Sequence, residues 1–85
     1  MASMPTALEM DGFRIVIYTN DHAPAHVHAV RGDGEAKINI ASERVALVSA
    51  YGLKKTDIKR AVRIVSENRE LLLQKWIETH GPINS

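Results

Sequence analysis

Three of the four histidines in this 85-residue chain fall within seven residues, in Asp21-His22-Ala23-Pro24-Ala25-His26-Val27-His28. Side chains alternate along an extended segment, so His26 and His28 share one face about 7 Å apart while Val27 turns into the core. Two imidazoles at that spacing can ligate one metal ion. They can equally divide general-acid and general-base work, because histidine titrates near neutral pH. His22, on a loop just before a proline, can fold back as a third nitrogen, and Asp21 can orient one ring through its other nitrogen. The run therefore supports a divalent-metal site, zinc for instance, at His22, His26 and His28. It also supports metal-free acid–base catalysis by the same three residues. The plain alternative is a set of outward polar residues on a solvated strand. A cupin site is excluded, because Glu35 comes seven residues after His28 and no jelly-roll length of chain follows.

Cations suited to phosphate cluster at the start of the second half. Lys54, Lys55, Lys59, Arg60 and Arg63 stand against Asp57 alone in ten residues. Lys59, Arg60 and Arg63 share an outer helix face that could meet RNA phosphates. The competing reading is a solvated face with an Arg63–Glu67 pair at i, i+4. Arg69 is out of place, since its helical phase puts it among Val62, Val65, Leu72 and Trp76. It must find a buried partner, snorkel outward along its stem, or reach an anion beside the histidines. Trp76 reads as a core anchor and His80 as a cation at a helix C-terminus.

The elements that must position these groups divide at Tyr51-Gly52. Before it, Gly, Pro, Asn and Asp recur every few residues; after it, neither Gly nor Pro appears until Gly81-Pro82. This pattern predicts one α+β domain over residues 1–85, with a strand half at 5–50 and a helical half at 54–80. Asp11-Gly12 signals a tight hairpin between Ala7–Met10 and Phe13–Thr19. His26–Val30 and Glu35–Ile40 read as strands joined by a turn at Arg31–Gly34, and Val45–Ser49 as a short fifth strand. The expected sheet is a small antiparallel meander of four to five strands, with its last edge open to a protein partner. One long C-terminal helix from Lys55 to Thr79, roughly 37 Å, is expected to follow. Thr56 is its N-cap, and a kink near Ser66–Asn68 is the alternative to a straight helix.

Composition narrows the class without naming an activity. The chain has no cysteine, so disulfide frameworks, thiolate metal sites and cysteine nucleophiles are excluded. With 25% charged residues and a net charge of +1, it is neither a polyelectrolyte nor a histone-like basic protein. Its longest apolar runs, such as Val45–Val48, are far too short to span a bilayer. Met1–Thr6 has neither the positive nor the apolar region of an export signal, so a cytoplasmic location is expected.

These residues together resemble a known family. Met4-Pro5-Thr6, Asp11-Gly12-Phe13, the run from Asn20 to His28, Gly32-Asp33-Gly34-Glu35-Ala36-Lys37 and Glu67-Asn68-Arg69-Glu70-Leu71-Leu72 with Trp76 are similar to the small prokaryotic family catalogued as domain of unknown function 4160. The His-X-Pro-X-His-Val-His run is the most specific part. Ala23 and Ala25 stand where further prolines are common, which loosens the loop and removes no candidate group. The resemblance marks His22, His26, His28 and Arg69 as motif residues. It further implies a toxin component of a two-gene toxin–antitoxin cassette. Its cognate partner would be a small antitoxin-like protein of the family called domain of unknown function 2442. On this basis the leading expectation is a metal-independent ribonuclease needing no cofactor. In it His22, His26, His28 and Arg69 are catalytic, and Lys59, Arg60 and Arg63 hold RNA. The alternatives are a non-catalytic protein-binding module and the divalent-metal site.

Overall fold

Asp11 and Gly12 adopt left-handed backbone angles, φ 54° and 82°, the pair of conformations that a two-residue hairpin turn requires. In the computed structural model, which describes residues 6–81, this turn folds β1 (Thr6–Met10) against β2 (Phe13–Val16). A second tight turn at Gly32-Asp33 joins β3 (His26–Arg31) to β4 (Gly34–Asn39). β5 (Ala46–Tyr51) completes a five-stranded antiparallel sheet in the order β1-β2-β3-β4-β5. Gly34 cannot be replaced here, because a Cβ on it would run into the carbonyl of Gly52 at the far end of β5.

Alternation sorts the two faces of the sheet. Ile15 lies opposite Ala29, Ala29 opposite Ala36, and Val27 opposite Ile38. All are fully buried, together with Ala61, Ile64 and Val65 of α1 (Lys55–Glu67) and Leu72 and Trp76 of α2 (Arg69–His80). Burial of each large aliphatic side chain stabilises the fold by about 1.5–3 kcal/mol. The other face carries cross-strand rows of a different kind. One runs Val16–His28–Lys37–Ser49 and the next places His26 beside Asn39.

The meander is as expected, but several boundaries move. β2 stops at Val16 and does not reach Thr19. The reason is local: the Tyr18 N–H donates to the Asp21 carboxylate (3.0 Å) and the Asp21 N–H donates to the Tyr18 carbonyl (3.1 Å), which bends the chain away from the ladder. β5 is longer than Val45–Ser49 and carries a bulge, since Lys37 pairs with Ser49 and Ile38 with Leu47, leaving Val48 without a partner.

The single long helix is corrected to two helices that meet at Asn68. Asn68 has φ −116° and ψ 19°, outside the helical range. Its side-chain amide donates to the Ile64 carbonyl at 2.8 Å, sharing that acceptor with its own backbone N–H at 3.1 Å. α1 begins without a side-chain cap: Lys54 holds the cap position, and Thr56 lies inside the first turn. α2 stops at Gly81, whose φ is 85°. Met4, Pro5 and Pro82 lie outside the described residues. No helix among the described residues is long and apolar enough to cross a membrane.

Candidate metal centre

The bend after β2 carries Asp21 back over the start of β3, where its carboxylate meets both strand histidines. Asp21 Oδ2 lies 3.5 Å from His26 Nε2 and 3.3 Å from His28 Nε2. One ligand atom from each of the three residues lies within 4.8 Å of the others. Little water reaches them, since the side chains of Asp21, His26 and His28 are 13%, 6% and 12% exposed.

The second ring nitrogens fix the tautomers. His26 Nδ1 is 2.8 Å from the Pro24 carbonyl, which can only accept, so Nδ1 carries the proton. His28 Nδ1 is 2.7 Å from Glu35 Oε2, again an acceptor. In the neutral rings both Nε2 atoms are therefore lone pairs, and both face the acceptor oxygens of Asp21. Three lone-pair donors then converge. That arrangement is repulsive unless a metal ion, or a second proton on one ring, sits between them; His28 Nε2 also lies 3.4 Å from Asp21 Oδ1.

Distance separates the two kinds of contact on one ring. The 2.7 Å between His28 and Glu35 is a charge-assisted hydrogen bond. The 3.3 and 3.5 Å to Asp21 are too long for that class. These two separations are close to the edge of a tetrahedron with arms of about 2.0–2.1 Å, roughly 3.3 Å, as zinc builds with nitrogen and oxygen ligands, and the third separation in the trio is within 4.8 Å. Nδ1 anchored to a carbonyl and to a carboxylate is the outer-shell arrangement that aims histidine ligands at a metal.

The three residues border a cavity of about 450 Å³ that Lys37, Asn39 and Val48 also line. Lys37 lies directly across from His28 and Asn39 from His26, while the bulge turns unpaired Val48 toward the same space. Tyr18 flanks the site, its ring centroid 4.8 Å from that of His28. Burial raises the Tyr18 phenol above its ordinary value, and the nearby Glu35 carboxylate raises it further. On the other side the Trp76 ring lies 5.3 Å from His26, and His80 stacks on Trp76 at 4.0 Å. His80 stands in the last turn of α2, as expected, with both its ring nitrogens buried and without a hydrogen-bond partner among the described residues.

The residues singled out from sequence divide into groups. His26 and His28 come together. His22 borders the same cavity but is exposed and outside the converging trio, and Asp21 holds the place it was expected to fill. Arg69 is elsewhere: its Nε donates to the Ile40 carbonyl at 3.0 Å and a terminal nitrogen to Ala41 at 3.4 Å, pinning the chain after β4 to the start of α2. It does not line the histidine cavity. Lys59, Arg60 and Arg63 border a separate hollow with Thr56 on the exposed side of α1. Glu35, Lys37 and Asn39 went unassigned, although counting outward from the Gly32-Asp33 turn places them beside the histidines.

Comparison with curated proteins and with solved structures returns no match. The family model described as Domain of unknown function (DUF4160) matches residues 12–77, a span that contains β2 to β5, all three converging residues, the whole of α1 and most of α2. The chain belongs to this family of unknown function.

Proposed function

We propose that the chain is a divalent-metal-binding domain, with Asp21, His26 and His28 as protein ligands and a remaining coordination position open to the cavity. The observation that carries this is the convergence of two lone-pair Nε2 atoms on a carboxylate, each ring anchored at Nδ1. Three protein ligands with an open position is the arrangement of catalytic zinc, which lowers the pKa of bound water and supports hydrolysis. The reaction class that fits is therefore metal-assisted hydrolysis, with Glu35 holding the His28 ring.

This reading replaces the metal-independent ribonuclease as the better-supported one. Cleavage by two imidazoles needs a phosphate between the rings and a cation beside it. Asp21 places a negative charge at that position, and Arg69 is engaged elsewhere. RNA cleavage by a cassette toxin remains a candidate activity, in metal-dependent form.

The test is zinc titration by calorimetry together with metal analysis. Asp21→Ala, His26→Ala and His28→Ala should each weaken zinc binding by more than about 100-fold, exceeding the usual loss for an outer-shell change. His22→Ala should change it little. Zinc binding that ignores the three substitutions, in variants with unchanged circular dichroism, would refute the assignment.

A second reading concerns a partner. β5 is an edge strand without a charged residue, and it exposes Leu47, Val48 and Tyr51 at 45%, 54% and 63%. Such an edge accepts an added strand from another protein. It is where a cognate antitoxin-like protein would dock. Leu47→Lys should abolish co-purification with the co-expressed cassette partner while leaving zinc affinity unchanged.

A further inference from the structure

We infer that the open side of the centre binds a singly charged oxyanion, a phosphodiester or a carboxylate, held between the metal position and the Lys37 and Asn39 pair of β4. The inference rests on the metal reading above and adds the substrate class.

The register carries the argument. His28 lies opposite Lys37 and His26 opposite Asn39, and opposed residues on one sheet face have Cβ atoms about 5 Å apart. Two metal-facing rings on one strand thus stand beside two hydrogen-bond donors on the next. Lys37 is half-buried and has no ion pair within 4.0 Å among the described residues. The Asn39 side-chain oxygen accepts the Ala41 N–H at 2.8 Å, which leaves its NH₂ as the group free to donate. Both members of the pair offer protons and neither offers a negative charge. That suits an acceptor-rich ligand and disfavours a cation.

Charge selects the class. A divalent ion and the Lys37 ammonium supply three positive charges, and Asp21 and Glu35 oppose two of them. A loaded centre of net +1 matches a monoanion better than a dianion. The apolar side chain of Val48 at the rim fits the uncharged flank of a diester or of an organic acid.

The experiment uses the full chain loaded with cobalt(II), whose visible spectrum responds to a ligand entering the open position. Dimethyl phosphate and acetate are titrated separately, and the tighter probe identifies the source. The expected result is a saturable spectral change that Lys37→Gln weakens by about tenfold or more and Lys37→Arg largely restores, each variant compared with its cobalt site saturated. Cobalt binding with silence to both probes overturns the inference and leaves the metal reading standing. Equal anion affinity in Lys37→Gln also overturns it. Failure to bind cobalt overturns the metal reading and the inference together.

Discussion

Val27 and Ala29 lie on one face of β3; His26 and His28 lie on the other. The first pair belongs to an apolar cluster drawn from the neighbouring strands and both helices. The second pair is nearly as buried, yet its ring nitrogens face the Asp21 carboxylate across 3.3–3.5 Å and need a proton or a metal ion between them. One strand therefore carries a self-sufficient apolar face beside a polar face whose balance depends on what it binds. Local conflict of this kind is the expected mark of a functional site in an otherwise consistent fold.

Substitutions test that contrast. Ile38→Ala, on the apolar face, should lower unfolding free energy by about 2–5 kcal/mol in urea denaturation, through lost burial and the cavity left behind. Zinc should act only through the polar face. At a free concentration of 100 times Kd it should raise stability by about 2.7 kcal/mol, and Asp21→Asn should remove that increment. The same variant, measured without metal, should be at least as stable as the parent, since it replaces a repelled carboxylate with an amide that can donate. A large loss in the metal-free variant would mean that Asp21 is a structural group and the contrast is false. Glu35→Gln should weaken zinc binding by about 10–100-fold without changing the fold, because it loosens the His28 ring and leaves all three ligands.

The smallest effect concerns Tyr18, at the boundary between the faces. Its folded-state pKa is raised by burial and by Glu35. Above about pH 10 the unfolded chain loses the phenolic proton first, so stability falls as pH rises through the folded value. Tyr18→Phe should flatten that alkaline slope; an unchanged slope would assign it to other groups.

Much of this was legible in residue order. Period-two alternation alone put Val27 inside and His26 with His28 outside, and Asp11-Gly12 specified its hairpin by demanding left-handed angles. The exchange of His22 for Asp21 was not legible, because it depends on how a loop closes: the Tyr18–Asp21 hydrogen bonds settle it, and either neighbour could have pointed inward. Glu35 and Lys37 were legible in principle, since a two-residue turn fixes a hairpin register that can be counted. For Arg69 the helical phase turned it toward the fold, where it is half-buried, but its acceptors lie 28 and 29 residues away in sequence, beyond any local pattern. Asn68 shows the limit of periodicity: apolar phase continued across it while its backbone left the helical range and its side chain joined its own N–H on the Ile64 carbonyl.

Trp76 is the chain's only tryptophan, and its ring stands 5.3 Å from that of His26. The protein thus carries its own optical reporter beside the proposed ion. Emission should be quenched by a paramagnetic ion such as copper(II) and shifted, with far less loss, by diamagnetic zinc. Occupancy of the centre could then be followed in unlabelled protein, during folding as well as at equilibrium.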